Sequence, residues 1–425
     1  MTTPNIARHS RIVSLSPIHY GWIVWLVATI GWVATSPGQS FTVSLFFDYF
    51  IDDFGLSRTM VSSLYGAGTF GGSLALTWIG LQIDRQGNRK MGVIIGICFT
   101  LALVMMSFVM GPISLLIGFI AIRGFGQGAL SLVNTTVMAE WFQRLRGRMM
   151  SLSLVAFALF QAVYIPWLQS QLQIYGWRHM WLVLGIGVAV VVIPLTWVLM
   201  RNKPEEYGLL PDGDVRNQKS ETQEAEITGW TLREAMRTST FWVLLFGRLI
   251  SPAWGTGIII HQISIFNELG HSAATAATTY SMITLIMAGA SIGFGILVDK
   301  LRPGVVMAIQ LVALIVAMIT INYMTNQYLI YVYALGFGLV MGGGAVFDGA
   351  VWANLFGRKY QGSIRGFVIT AMVASSAAGP VILGISFDYF GGYAPALWLG
   401  VALSAIAGTG AMLVKNPRKA KDIVA

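Results

Sequence analysis

The sequence contains little charge and almost no cysteine. Only 11% of its 425 residues are Asp, Glu, Lys or Arg, whereas a soluble protein normally carries about a quarter. With 55% hydrophobic residues and a mean hydropathy of +0.68, the chain has more apolar surface than a soluble core buries. The composition therefore predicts an integral membrane protein, whose solvent is the lipid bilayer.

Further absences exclude whole classes of function. The single cysteine, Cys98, lies in an apolar run, which excludes a disulfide framework and redox chemistry. The sequence has no His-Glu-x-x-His, no cysteine cluster and no Gly-x-x-x-x-Gly-Lys-Ser/Thr. We therefore expect a protein that is not an enzyme, needs no metal or other cofactor and is not driven by ATP. No cleavage site follows the polar N-terminus, so we expect no removable signal peptide.

Long apolar segments dominate the chain instead. Twelve of them are long enough to cross about 30 Å of hydrocarbon as helices. They begin near His19, Thr59, Lys90, Pro112, Arg148, Arg178, Ser239, Ala273, Gly304, Gln327, Ile364 and Ala394. A polar stretch at residues 201–238 predicts a cytoplasmic linker between an N-terminal bundle, residues 1–200, and a C-terminal bundle, residues 239–425. Near its end, Thr231-x-x-Glu234 predicts a capping box that opens a short helix.

The basic residues are distributed unevenly around these segments. If both termini are cytoplasmic, 23 of the 27 Lys and Arg residues lie in the tails or in loops on that side. Loops rich in Lys and Arg stay in the cytoplasm, so we expect cytoplasmic N- and C-termini. The formal net charge of +9 is thereby explained without a nucleic acid partner.

The two halves share landmarks at a constant spacing. A shift of 214 or 215 residues places Ser36-Pro37 on Ser251-Pro252 and Pro166 on Pro380, along with three further pairs. A parallel repeat of this kind predicts two six-helix bundles that expose a central binding site to each side of the membrane in turn. Because two bundles suffice for this, we expect a functional monomer.

The loop after the second segment reads Gly80-x-x-x-Asp84-Arg85-x-Gly87-Asn88-Arg89-Lys90, and its counterpart after the eighth reads Gly295-x-x-x-Asp299-Lys300. This pattern resembles the signature loop of the major facilitator superfamily, and the resemblance covers the whole chain. It implies an all-α fold of twelve transmembrane helices and secondary transport. It also implies a conformational latch of charges, here called the latch cluster, with a role in topology and solubility as the alternative. The latch cluster comprises Asp84, Arg85, Arg89, Glu140, Arg148 and Asp299.

Three shorter patterns narrow this resemblance: Tyr20-Gly21-Trp22, Trp141-Phe142-x-Arg144 and Arg201-x-Lys203-Pro204-Glu205. They are similar to the bacterial monocarboxylate and oxalate:formate transporter branch. That branch implies a small organic anion, moved with protons or by exchange across the bacterial inner membrane. Charges that members of the family often carry in the eighth and eleventh helices are missing here, so a carboxylate-binding scheme is not transferred. The alternatives are a transporter of another metabolite or drug class and a non-transporting sensor.

Charged residues within the bilayer are costly unless they are paired or face water. Arg123 lies near the middle of the fourth segment, and the polar residues around it form a stripe about 80° wide. The stripe consists of Arg123, Gln127, Ser131 and Asn134. We expect it to face a cavity, where an arginine binds a carboxylate with two hydrogen bonds. The alternative is that Arg123 packs between helices.

The seventh segment carries a second polar stripe, which consists of Arg248, Ser251, Gly255 and Gln262 and is a second predicted wall of the substrate site. Asp348, in the tenth segment, lies at a similar depth to Arg248, which predicts an ion pair between them. Protonation of Asp348 would then release Arg248 for the anion; a static pair is the alternative. His261 is a further candidate for proton coupling, with simple packing as its alternative.

Overall fold

The computed structural model describes residues 10–142, 145–213, 230–356 and 361–414, and this part of the chain is helical without strands. Helices satisfy every backbone hydrogen bond within one segment, which a hydrocarbon solvent requires. The helices are α1 Arg11–Ser14, α2 Gly21–Val33, α3 Ser40–Phe54, α4 Arg58–Leu74, α5 Leu76–Gln86, α6 Asn88–Ser107, α7 Pro112–Ala121, α8 Ser131–Trp141, α9 Arg146–Tyr175, α10 Trp177–Leu199, α11 Leu232–Ala235, α12 Ser239–Glu268, α13 Ala273–Lys300, α14 Pro303–Asn322, α15 Gln327–Phe356, α16 Gln361–Phe390 and α17 Ala394–Leu413.

The predicted membrane segments correspond to these helices. Within the described residues, ten helical stretches are long and apolar enough to span a membrane. The first two predicted segments are each divided into shorter helices, α2 with α3 and α4 with α5. Many large apolar side chains are exposed on the membrane helices, among them Leu101 of α6, Ile186 of α10 and Ile292 of α13, as a lipid-facing surface requires. The structure thus confirms the all-α membrane fold.

Two membrane segments contain irregular backbone. A 3₁₀ turn, Ser36–Gly38, separates α2 from α3, because Pro37 lacks the N–H that would continue the α-helical ladder. Between α7 and α8, residues Ile122–Leu130 form a π-helical stretch. The two irregular stretches touch, since a Cβ atom placed on Gly126 would lie 3.2 Å from the Cα of Gly38. Non-helical backbone at membrane depth is tolerated where protein buries it.

The chain divides into two compact units. Unit 1 contains the described residues of Met1–Phe46, Ala67–Gln161 and Ser170–Glu221, and unit 2 contains those of Phe47–Gly66, Ala162–Gln169 and Thr222–Ala425. The division into halves at the 201–238 linker stays a prediction, and residues 214–229 of that linker lie outside the described part. The capping box is confirmed: Thr231 Oγ1 accepts from the Glu234 N–H at 3.3 Å, and the Glu234 carboxylate accepts from the Thr231 N–H at 2.8 Å.

In unit 1, the three short sequence patterns meet at one end of the helices. The Tyr20 hydroxyl donates to the Leu199 carbonyl at 2.7 Å, and its ring lies 5.9 Å from that of Trp141. Trp141 Nε1 donates to the Arg201 carbonyl at 3.0 Å. These contacts satisfy carbonyls at and beyond the end of α10, which have no partner within the helix. The patterns therefore share one structural role, which is to hold the ends of α8 and α10 against the start of α2.

In unit 2, close helix contacts depend on small residues. A Cβ atom on Gly379 of α16 would collide with the Ala253 carbonyl of α12, and one on Gly257 would lie 2.9 Å from the Gly379 carbonyl. Residues without a side chain allow two membrane helices to approach closely. The N-terminal part of α4 also packs on α16, where Gly66 meets the carbonyl of Ala377. These contacts position the ionisable residues of α12 described next.

Candidate functional site

Arg248 of α12 and Asp348 of α15 form an ion pair within unit 2. Arg248 Nε donates to Asp348 Oδ1 at 2.7 Å, and Nη2 donates to Oδ2 at 2.6 Å. The Arg248 side chain is 8% exposed and that of Asp348 is 22% exposed. Two parallel hydrogen bonds between ionised groups are among the stronger side-chain contacts. The pairing expected from their similar depth is therefore present, and Asp348 keeps access to the space beside it.

That space is a cavity of about 350 Å³, here called the unit 2 cavity. Its polar lining residues are Arg248, Ser251, Thr256 and Asp348, and the others are Pro252, Gly255, Ile259, Phe337, Val340 and Met341. A concave, mainly apolar space with a few convergent polar groups is typical of a small-molecule site. Ser251 and Gly255 lie on the predicted polar stripe of the seventh segment.

The position of the guanidinium depends on a glycine that sequence reasoning did not select. A Cβ atom on Gly344 would lie 2.9 Å from Arg248 Nη2, so a larger residue would displace the ion pair. Gln310 of α14 donates to the Gly343 carbonyl at 3.1 Å beside it. The run Gly342 to Gly344 is visible in the sequence, but a glycine run alone does not show which side chain passes over it.

Gln262 lies away from the unit 2 cavity. Its Nε2 donates to the Ala276 carbonyl at 2.8 Å, and its Oε1 accepts from the Tyr333 hydroxyl at 3.1 Å. The side chain is 3% exposed. These bonds join α12 to α13 and α15, so in this structure the amide is occupied by protein groups. The substrate-binding role predicted for Gln262 has no support in this geometry, and helix packing is the role that the contacts favour.

His261 is buried among residues of four segments of unit 2. Its Nε2 lies 3.0 Å from the Pro380 carbonyl and 3.2 Å from the Ser62 hydroxyl. Because a carbonyl only accepts, Nε2 carries the proton. Nδ1 is then unprotonated and lies 3.4 Å from the Tyr393 hydroxyl. Burial raises the pKa of Tyr393, so its hydroxyl stays protonated, and it donates to the Ser264 hydroxyl at 2.9 Å. Phe47 packs against the imidazole edge-on at 5.5 Å.

Arg123 is buried within unit 1, at the start of the π-helical stretch. Its Nη1 donates to the Gly38 carbonyl at 3.0 Å, and its Nε donates to the Thr69 hydroxyl at 3.1 Å. The carbonyl belongs to the 3₁₀ turn between α2 and α3, where regular helical hydrogen bonding stops. Arg123 thus stabilises the break in the first membrane segment. This contact matches the packing alternative, while the substrate role stays a prediction.

Two other residues of this stripe, Gln127 and Asn134, differ in their surroundings. Gln127 is partly exposed, as a residue facing a cavity would be. Asn134 is 1% exposed; its Nδ2 donates to the Leu130 carbonyl at 2.8 Å. Gly31 of α2 packs directly on Asn134, since a Cβ there would lie 2.6 Å from its Oδ1. The contacts of Asn134 therefore favour helix packing over substrate binding.

The latch cluster is only partly described. The side chains of Asp84 and Asp299 lie outside the described part of the structure. Glu140 lies 3.8 Å from Lys203, and Arg148 is exposed. Arg89 donates to the Trp197 carbonyl at 2.8 Å, with its guanidinium 4.7 Å from the centre of the Trp197 ring.

Arg85 and Glu140 line a second cavity, within unit 1, of about 480 Å³. Its walls also include Thr136, Asn202 and Lys203. The structure therefore brings these two members of the latch cluster to one cavity, while it directs Arg89 toward α10. The latch role itself stays a prediction.

The chain matches a known protein family. The sequence model of one protein family, the Major Facilitator Superfamily, matches residues 29–348, which is more than half of the chain. The chain belongs to the major facilitator superfamily. It is accordingly a multi-pass membrane protein of a transporter family. The narrower resemblance to the monocarboxylate branch stays a prediction.

A curated transporter is similar to part of the chain. The chain is 27% identical over 207 residues to a probable L-galactonate transporter of Escherichia coli strain K12, and the match covers 46% of this chain and 43% of that relative. The aligned region thus spans less than half of the relative.

Solved structures show the same fold at low identity. A D-xylose-proton symporter superimposes with a TM-score of 0.71 at 17% identity, covering 93% of this chain and 98% of that one. A nucleoside transporter superimposes with a TM-score of 0.70 at 12% identity, with coverage of 92% and 99%. A bacterial homologue of the human lysosomal transporter Spinster, in an inward-facing and unoccupied conformation, gives 0.68 at 17% identity, with coverage of 93% and 96%.

Proposed function

We propose that this protein is a secondary transporter that moves a small organic anion, a monocarboxylate, across the membrane together with a proton. The observation that supports this most directly is the Arg248–Asp348 pair, a buried arginine and a partly buried aspartate that line the unit 2 cavity. An arginine at membrane depth is a carboxylate-binding group, and an aspartate at its side is a proton acceptor. The relative is named as a probable transporter of L-galactonate, which is also an organic anion.

The charge balance of the pair supports coupling to one proton. In the empty site, the charges of Arg248 and ionised Asp348 sum to zero. An anion that joined them would leave one uncompensated negative charge in a site of low dielectric, which is costly. A proton on Asp348 restores neutrality and weakens its hold on Arg248, whose guanidinium then forms its two hydrogen bonds with the substrate carboxylate. Proton and anion are thus bound together or not at all.

The proposal also includes the topology of the chain, its membrane and its working unit. We place both termini in the cytoplasm, because 23 of the 27 basic residues then lie on that side. The membrane is a bacterial inner membrane and the working unit is a monomer in this proposal. Alternating access between the two sides is the transport cycle that the family membership supports.

The test is uptake of radiolabelled carboxylates into proteoliposomes, with and without an inward proton gradient. The panel contains acetate, propanoate, benzoate, oxalate and galactonate. We expect gradient-stimulated uptake of at least one monocarboxylate by the wild type, and its loss in Arg248→Ala. Arg233→Ala is the matched control, because Arg233 is an exposed arginine of α11 and should leave uptake unchanged.

Other outcomes distinguish the alternatives. Uptake that depends on an anion inside the vesicle and ignores the gradient would replace symport by exchange. Binding of an acid without uptake would indicate a sensor on the same fold. No interaction of the folded protein with any carboxylate would overturn the proposal and direct the search to neutral and cationic solutes.

A further inference from the structure

The unit 2 cavity has polar groups at one end and apolar groups at the other. Along α12, Arg248 and Ile259 are eleven residues apart, about 16 Å of helix. Along α15, Phe337 and Asp348 have the same separation. The two helices are antiparallel where they line the cavity, because Arg248 pairs with Asp348 and a Cβ on Gly255 would lie nearest to the Phe337 ring. The cavity therefore runs from the ion pair to an end formed by Ile259 and Phe337.

The lining offers few partners for hydroxyl groups. Among the described residues that line this cavity, the side-chain hydrogen-bonding groups besides the ion pair are the hydroxyls of Ser251 and Thr256. A ligand hydroxyl that loses water needs a protein partner, because burial without one is unfavourable. A polyhydroxylated acid has more hydroxyl groups than these two side chains can bind. An apolar carbon chain needs no hydrogen-bonding partner. The lining therefore distinguishes between acids by the polarity of the part attached to the carboxylate, here called the body of the acid, as well as by the carboxylate itself.

Gly255 leaves space at the apolar end. Among the described residues of the other helices, a Cβ atom at this position would meet one atom within 4 Å, the Phe337 Cζ at 3.9 Å, an ordinary van der Waals distance. Gly255 differs in this from Gly257, where a Cβ would lie 2.9 Å from the Gly379 carbonyl. Packing between helices therefore does not require a glycine at position 255. The room that its missing side chain leaves lies inside the cavity, beside the Phe337 ring.

We propose that Gly255 and Phe337 determine substrate specificity: the unit 2 cavity accepts monocarboxylates with an apolar body, held against Phe337 and Ile259, in preference to polyhydroxylated sugar acids. This inference rests on the proposed transport of organic anions and adds the part of the substrate that is recognised beyond its carboxylate. The carboxylate lies at Arg248, and the space above Gly255 sets the size of the body.

The test compares uptake of propanoate, benzoate and galactonate by the wild type, Gly255→Ala, Gly255→Val and Phe337→Ala. We expect the wild type to take up propanoate and benzoate faster than galactonate. Gly255→Val should lower the benzoate to propanoate ratio by about tenfold, which is typical for a few carbon atoms in an apolar pocket. Gly255→Ala should lower it less, and Phe337→Ala should raise it. The control is Gly289→Ala in α13, where a Cβ would meet none of the described residues of other helices within 4 Å, and the ratio should not change.

The outcomes separate this inference from the proposed function. Preferred uptake of galactonate, or a benzoate to propanoate ratio that stays constant in folded Gly255→Val and Phe337→Ala, overturns the specificity assignment while organic anion transport stands. A folded wild type that takes up none of the three acids overturns both. Gly255→Ala keeps the test valid if the valine variant does not fold, because its methyl group fits the observed space.

Discussion

The Nε2 atom of His261 in α12 lies 3.2 Å from the Ser62 hydroxyl of α4, within unit 2. The same nitrogen faces the Pro380 carbonyl of α16. One imidazole ring therefore joins three helices through its protonated nitrogen. These contacts favour the packing interpretation of His261 over a proton relay, because both ring nitrogens already face protein partners.

We expect His261→Gln to keep gradient-stimulated uptake and His261→Ala to lower the free energy of unfolding by about 2–4 kcal/mol. Alanine removes the hydrogen bonds and leaves a cavity, whereas the glutamine amide keeps a donor near Pro380. Thermal unfolding in detergent and uptake under a proton gradient check the two statements. Loss of gradient stimulation in a stable His261→Gln protein would assign proton coupling to this residue.

Asp348→Asn should make transport independent of the proton gradient. Asparagine resembles the protonated carboxyl group in shape and charge, so Arg248 stays available to the anion without a proton. We expect exchange of internal for external acid to persist while gradient-driven accumulation falls to background. Accumulation that remains in Asp348→Asn would mean that another group carries the proton.

The ion pair should also appear as energetic coupling in stability. Arg248→Ala alone leaves a partly buried carboxylate without its partner, which should cost about 3–5 kcal/mol. The double variant with Asp348→Ala removes both charges and should be more stable than Arg248→Ala. A double-mutant cycle from thermal or denaturant unfolding measures the difference. Additive effects would show that the two charges do not interact in solution.

Asp388, near the end of α16, caps the N-terminal end of α4. Its Oδ2 accepts a hydrogen bond from the Thr59 N–H at 2.8 Å, and the first N–H groups of a helix have no partner within it. Asp388→Ala should therefore lower the free energy of unfolding by about 1 kcal/mol, with a smaller loss in Asp388→Asn. The neighbouring Tyr389 is 79% exposed, so Tyr389→Ala is the control. Equal losses for both alanine variants would contradict the capping role.

Gly38→Ala should destabilise unit 1 strongly. The new Cβ atom would lie 2.5 Å from the Ile122 carbonyl and 3.1 Å from the Gln127 nitrogen, both backbone atoms of the π-helical stretch that starts beside Arg123. We expect a loss of about 2 kcal/mol or more, because a backbone shift is needed. Gly187→Ala in α10 has open space around its Cβ and should be neutral or slightly stabilising. Thermal unfolding of both variants tests the contrast; similar values would show that the turn adapts without cost.

Several parts of the candidate site could be read from the sequence because charge is rare within its apolar segments. Arg248 and Asp348 stood out for this reason, and their similar depth was enough to predict the pair that the structure contains. Gly255 lay on the predicted polar stripe. Depth and helical position depend only on counting residues along a helix, so a single sequence contains them.

The partners of neutral polar residues could not be read in this way. Gln262 and Asn134 lie on the predicted stripes, yet their amides bond to neighbouring protein groups. An amide side chain looks the same in a sequence whether it faces a cavity or another helix. Phe337 was missed for the converse reason, because an apolar residue of a cavity wall does not differ in sequence from one that faces lipid.

The sequence by itself determined the lipid solvent, the helical class of the fold and the positions of Arg248 and Asp348 along their helices, because hydrophobic length and helical rise are properties of the chain alone. Only the tertiary structure decided which polar groups are already satisfied by neighbours. It placed Gly38 against Gly126 and made Arg123 a partner of the turn, and it joined Arg248 to Asp348 beside a cavity with an apolar end. These relationships depend on the side chains that face one another across helices, which are far apart along the chain.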